Sequence, residues 1–263
     1  MLIFKKIIKK ILNIFFININ LIDINSTKSF LNKIFIYDCG YKLIRVGSKK
    51  DGGYLIPNIL YKTKYCFSPG VGTNSSFEDN LKKFKIKSFL ADGTIEYSGK
   101  HDFIKKNLSS FNDSKNITLE DWIRIKLKKK KSNNLILQMD IEGSEISVIY
   151  NTKETVLKKF AILIIEFHDF NNICNNFGLK VYDEVFSKLL KHFTICHIHP
   201  NNNWGTTKIC NIDVPNFMEF TFINNQYFKK RNLIKHSLPH FNDYKNNKKL
   251  PDIKLPIIFY KKN

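Results

Sequence analysis

The residues with chemistry in this sequence gather at the ends of apolar runs. Residues 135 to 145 read LILQMDIEGSE, a greasy stretch that closes on Asp140, Glu142 and Glu145. A second run, LIIEFH at 163 to 168, closes on Glu166 and His168, with Asp169 next. A third segment, HIHPNNN at 197 to 203, carries His197 and His199, which share one face if the segment is a strand. Carboxylates and imidazoles in such places take protons from hydroxyls or hold metals. His168 and His199 are therefore candidate bases or substrate contacts, and Asp140 a candidate catalytic group at the end of its strand. A divalent metal on His197 and His199 with a carboxylate is the less favoured alternative, since histidine is common at strand ends without a ligand; no residue is assigned as a metal ligand.

A glycine turn stands upstream. SPGVGTNSSFE, residues 68 to 78, places Gly70 and Gly72 directly after an apolar strand and ends in S-x-x-E, the pattern of a helix capping box through Ser75 and Glu78. Such a turn lets a ligand approach the backbone and aims free amides at it. The third glycine of the dinucleotide fingerprint is absent, which argues against a pyrophosphate. Asp92, in FLADGT, ends the next strand about 20 residues on, where an acid holds ribose hydroxyls in such folds. Standing alone it would be a turn or cap residue. Together the glycines and the acid suit an adenosine ligand without a diphosphate, and S-adenosylmethionine is the candidate. Asn74 and Glu78, in the same turn, are counted with its contacts. Asp140 closes the crevice; Glu142 caps the following helix or lines the site, and Glu145 supports the helix start.

The elements that position these groups alternate. Short strands are expected at 65–68, 86–91, 103–104, 135–139 and 161–167, and helices at 76–84, 119–127, 145–150 and 182–192. Two late strands, 193–198 and 217–223, have no helix between them. The pattern predicts an α/β fold: a Rossmann-like, mainly parallel sheet flanked by helices, with an antiparallel strand pair at its C-terminal edge. Trp122 reads as core rather than as a stacking platform, and Lys128 to Lys131 as a solvated loop.

The chain has 263 residues, 43% of them hydrophobic, enough for one large core. Its net charge of +20 raises nucleic acid or an anionic membrane as partners. The charge is nearly all lysine; the arginines are Arg45, Arg124 and Arg231. Base readout and bidentate phosphate contacts favour arginine, so nucleic acid is disfavoured. The abundance of Ile, Asn, Lys, Phe and Tyr also fits A/T-rich codon usage. The cysteines, Cys39, Cys66, Cys174, Cys196 and Cys210, are scattered, which fits a reducing cytoplasm. The N-terminal segment carries Lys5, Lys6, Lys9 and Lys10, then turns apolar. Asn13, Asn18 and Asn20 break it too often for a membrane span of about 20 residues. It reads either as a basic amphipathic helix touching the inner face of a membrane or as a helix packing on the domain.

Several ordered motifs resemble those of FkbM-type methyltransferases. MDIEGSE at 139 to 145 is similar to their acidic signature, RVGSKKDGGYLIP at 45 to 57 to an N-terminal segment of a subgroup, and SPGVGTNSSFE to their glycine turn. TLEDW at 118 to 122, LIIEFH at 163 to 168, HIHPNNN at 197 to 203, NFMEFTFIN at 216 to 224 and the proline-containing tail from Leu238 follow in the same order. The resemblance runs from about residue 41 to the end, leaving 1–40 as a basic and apolar helical extension. It implies a class I methyltransferase domain over 41–263 that uses S-adenosylmethionine and O-methylates a sugar hydroxyl of a glycan or related small molecule. It also implies that Asp51, Gly52, Gly53 and Tyr54 contact the cofactor side. The rival expectation is a non-catalytic basic protein, on a degenerate Rossmann core, that binds nucleic acid or an anionic membrane surface. The acceptor and the oligomeric state are not legible in the sequence.

Overall fold

Helix α1 (Ile24–Lys33) starts where Asp23 accepts hydrogen bonds from the backbone of Asn25 and Ser26. The computed structural model describes residues 23–128, 132–228, 232–235 and 238–261. The basic N-terminal segment and most of the run Lys128 to Lys131 lie outside these. A hairpin follows α1, β1 (Leu43–Gly47) against β2 (Gly53–Pro57), turning at Asp51-Gly52. The alternating units come next: β3 (Tyr65–Pro69), α2 (Ser76–Lys82), β4 (Lys87–Ala91), β5 (Asp102–Ile104), α3 (Leu119–Leu127), β6 (Leu135–Met139), α4 (Glu145–Asn151), β7 (Phe160–Phe167), α5 (Asn176–Leu190) and β8 (Phe193–Pro200). A second hairpin, β9 (Thr206–Ile209) and β10 (Ile212–Pro215), leads into β11 (Met218–Asn224).

The central sheet has seven strands in the order β8-β11-β7-β6-β3-β4-β5. Strands β7, β6, β3, β4 and β5 are paired in parallel, while β11 runs antiparallel to both β7 and β8. Counted along the chain, the parallel strands follow the doubly wound order 3-2-1-4-5-6, with β11 inserted between the fifth and the sixth. The fold is thus the expected α/β sheet with an antiparallel pair at one edge; β11 lies inside and β8 is outermost. Order reverses between β3 and β6, and in open α/β sheets the crevice outside such a reversal receives ligands.

Strands β6, β7, β8 and β11 are buried along their whole length, as strands covered on both faces must be. One face carries Phe67, Leu137, Ile165 and Phe220 against α1, α3, α4 and α5. Trp122 belongs here, fully buried and edge-on to Phe67 at 5.0 Å, in keeping with a core role. Truncating so large a buried ring to Ala typically costs about 3–5 kcal/mol. The other face carries Cys66, Ile136, Ile164 and Ile223 under α2 and the β1–β2 hairpin. Near the strand ends this second face turns polar.

Some elements differ from expectation, among them the two strands of the β1–β2 hairpin, which lie outside the expected ranges. Helix α5 begins at Asn176 rather than at 182, because the Asn175 side chain caps it by accepting from the Gly178 amide at 2.7 Å. The β9–β10 hairpin was not foreseen. It turns on Cys210 and Asn211, both left-handed, where the usual hairpin signal is Asn-Gly or Asp-Gly. Among the described residues no helix is long and apolar enough to cross a membrane.

Candidate active site

The glycine turn after β3 is built by close backbone approach. Gly70 has φ +76°, and a Cβ there would lie 1.5 Å from the Asp140 carbonyl oxygen. Any side chain would push apart the ends of β3 and β6, so glycine is required by contact as well as by conformation. Gly72 has φ +52° and open space before it. Its amide donates to Asp92 Oδ2 at 3.0 Å, while Asp92 Oδ1 accepts from the amide and hydroxyl of Thr94. Asp92 therefore braces the turn from the end of β4.

The capping box expected at α2 does not form. Ser75 makes no side-chain cap bond, and Glu78 points inward, nearly fully buried. Its carboxylate receives the Ser68 hydroxyl, which also contacts Gln138. Burial pushes the Glu78 carboxyl up to about 6, against the pull of the Ser68 hydrogen bond. Asn74 takes over at the helix start, accepting from the Ser76 amide at 3.1 Å. Its Nδ2 donates to the Asp51 carbonyl at 3.1 Å and so ties the hairpin turn to the glycine turn. Gln138 Nε2 donates to the Tyr54 hydroxyl at 3.1 Å.

These pieces enclose a cavity of about 220 Å³ at the order reversal. Asp51, Gly52, Tyr54, Gly70, Gly72, Asn74, Glu78 and Asp140 all line it, with Gln138 and Glu142. Of the expected cofactor residues, Gly53 and Asp92 stand behind the lining; a Cβ on Gly53 would strike the Ser48 carbonyl at 2.0 Å. Carboxylates dominate the wall, and no lysine, arginine or histidine lines it among the described residues. A larger cavity, about 1220 Å³, opens beside α1 and the C-terminal tail. Its described lining holds Asp213 as its lone carboxylate and no histidine, so it lacks the convergent groups of a reaction centre.

Beyond β6 the chain makes a left-handed pair, Glu142 at φ +55° and Gly143 at φ +99°, before entering α4. A non-glycine residue held there is uncommon. Glu145, 1% exposed, accepts from the amides of Ile141 and Gly143, supporting the helix start. It also stands 3.0 Å from His168 Nδ1. His168 Nε2 faces Asp140 Oδ1 at 3.5 Å and Glu142 Oε2 at 3.4 Å. Burial raises the Asp140 carboxyl to about 7; His168 opposes the shift, and Glu142, Glu145 and Asp51 reinforce it. For His168 burial disfavours the charged ring, but Glu145, Asp140 and Glu142 outweigh it and move its pKa upward.

His197 and His199 do share a face, but each has a structural partner. His197 Nε2 is 2.9 Å from Asp243 Oδ1 in the C-terminal tail, and His199 Nδ1 is 3.3 Å from Glu219 Oε2 on β11. Glu219 lies directly across from His199 on one side and from Glu166 on the other. Asn246 Nδ2 donates to Glu219 at 2.7 Å and to Asp51 at 3.1 Å, joining this row to the hairpin turn. Glu166 accepts from Asn201 at 2.7 Å, and burial, with Asp140 and Glu219 nearby, pushes its carboxyl well up. The structure thus brings His168 to Asp140 and places His199 one step back, outside the cavity wall.

Sequence reasoning passed over Ser68, Gln138, Glu219 and Asp243. A signal existed for three of them: each is a polar residue interrupting a largely apolar strand. Asp243 lies in an irregular tail and carries no such signal. Compared with known proteins, the sequence matches no family model and no curated protein.

Proposed function

We propose that the protein is an S-adenosylmethionine-dependent methyltransferase of the FkbM type that O-methylates a sugar hydroxyl of a glycan or related small molecule. The observation that carries this reading is the cavity wall. It sits where doubly wound sheets receive nucleosides, yet its lining carries Asp51, Glu78, Asp140 and Glu142 and, among the described residues, no lysine, arginine or histidine. Such a wall repels pyrophosphate and favours a cation. S-adenosylmethionine combines a nucleoside with a sulfonium and carries no phosphate. The residues fit it: Gly72 offers open backbone, Tyr54 a ring, and Asp140 with Glu142 the negative charge. The cavity is smaller than the roughly 300–1,000 Å³ typical of ligand clefts, so part of the ligand lies along its mouth.

When bound, the cofactor supplies a methyl group on a positively charged sulfur. The chain's own residues hold the acceptor and remove its proton. Transfer to a hydroxyl releases one proton, and the Asp140–His168–Glu142 cluster at the crevice is placed to receive it. Glu145 stands 3.0 Å from His168 Nδ1, and the exposed Glu142 connects the cluster to solvent.

Calorimetric titration tests the proposal. S-adenosylmethionine should bind the intact protein with a micromolar Kd and NAD should not, and Asp140→Ala should weaken binding tenfold or more. Absence of heat with the folded, intact protein sinks the enzyme reading. Salt-dependent binding to DNA or anionic vesicles would then support the alternative.

A further inference from the structure

We propose that Asp140, Glu142 and His168 form a binding site for one divalent cation, with Mn²⁺ the fitting ion. One ligand atom from each of the three residues lies within 4.8 Å of the others. Cis donors around an ion with bonds of about 2.1 Å stand roughly 3 Å apart, so each gap between His168 Nε2 and a carboxylate needs to close by only about half an ångström. His168 Nε2 faces Asp140 and Glu142 at 3.5 and 3.4 Å, beyond ordinary hydrogen-bond length for N–H···O. Its side chain is 6% exposed, and the ring is aimed into the gap between the two carboxylates.

Two further features point to a ligand in that gap. Asp140 Oδ1 is buried and has no hydrogen-bond partner, a costly arrangement for an acceptor unless something binds it. Glu145 stands behind the imidazole at Nδ1, itself fixed by the amides of Ile141 and Gly143. Metal-bound histidines characteristically place the other ring nitrogen against a carboxylate, which sets the tautomer and the ring angle. Glu142 reaches the gap because the backbone at φ +55° turns it back toward His168.

Two carboxylate oxygens and one imidazole, with the remaining directions open, suit a borderline ion such as Mn²⁺ better than oxygen-preferring Mg²⁺. Glu142 is 85% exposed, which leaves a route for ion and water. His197 and His199, the pair from which a metal site would be sought in the sequence, are each occupied by a carboxylate of the fold. The ion's role in methyl transfer, binding the acceptor hydroxyl and making it more acidic, rests on the function proposed above. The binding itself does not, and it is measured without the nucleoside.

The test is titration of the full chain with Mn²⁺, followed by electron paramagnetic resonance and calorimetry. One site per chain is expected. Asp140→Asn and Glu142→Gln should each weaken it at least tenfold, and Glu145→Gln by 10- to 100-fold through the ring of His168. Glu142→Gln alters an exposed side chain, so it reports on binding even if changes at His168 or Asp140 disturb folding. His199→Gln should leave Mn²⁺ affinity unchanged. No binding at millimolar Mn²⁺, or affinity indifferent to Glu142→Gln, overturns the site and leaves a metal-free imidazolium–carboxylate cluster. In the unsubstituted protein, absence of Mn²⁺ binding with S-adenosylmethionine bound normally would refute the cation site alone, and the reverse would refute the nucleoside reading alone.

Discussion

His168 and the His197–His199 pair are buried imidazoles beside carboxylates, and they are held in opposite ways. His197 meets Asp243 at 2.9 Å, and Asp243 in turn accepts from the His240 amide at 2.8 Å. His199 meets Glu219, which is also bound by Asn246. Each of these pairs is matched to a carboxylate, and together they fasten the C-terminal tail to the sheet. His168 has its support at one nitrogen and a gap at the other. Burial and charge look alike in both places; what distinguishes them is spacing, since His197 Nε2 lies 2.9 Å from one carboxylate whereas His168 Nε2 lies 3.4 and 3.5 Å from two.

The comparison breaks first, and hardest, at Asp243. Asp243→Ala leaves His197 buried without its partner, which should cost about 3–5 kcal/mol and lower Tm by on the order of 10 °C. His168→Ala should cost clearly less in thermal denaturation while removing Mn²⁺ binding. Equal losses of Tm would erase the distinction. Next is Gly70→Ala, which forces a Cβ onto the Asp140 carbonyl at a left-handed position. We expect a loss of about 2–3 kcal/mol in denaturant unfolding together with loss of S-adenosylmethionine binding.

A smaller effect comes from acid. Burial alone would raise the Asp243 carboxyl, but His197 and then His199 overcome it and hold it at about 2. A depressed carboxyl contributes stability above its unfolded pKa, about 3.9, and loses it as pH falls toward the folded value. About 2 kcal/mol should therefore disappear between pH 4 and pH 2 in chemical denaturation, with a flatter slope in Asp243→Asn. Smallest of all is Glu142→Gln, which should change stability by less than about 0.5 kcal/mol while Mn²⁺ affinity drops. A large stability loss there would place Glu142 with the structural pairs instead.

Much of this was legible before any coordinate. The strand-and-helix alternation gave the sheet, and the turn residues gave most of the cavity wall, because glycines and carboxylates at strand ends have few other uses. Three things were hidden, each for a physical reason. The β9–β10 turn uses Cys210 and Asn211 in a conformation that sequence signals assign to glycine. Glu78 looked like a cap because S-x-x-E is a local pattern, whereas its partner Ser68 comes from the neighbouring strand. The closure of His197 and His199 depends on Asp243 and Asn246, in a tail whose path no periodicity encodes.

The most direct measurement for the central claim is photo-cross-linking of the intact protein to S-adenosylmethionine radiolabelled in its methyl group, followed by peptide mapping. The label should fall on peptides containing residues 68–78 or 138–145, compete away with unlabelled S-adenosylmethionine but not NAD, and vanish in Asp140→Ala. Label confined to peptides around the larger cavity beside α1, or no specific label at all, would contradict the account.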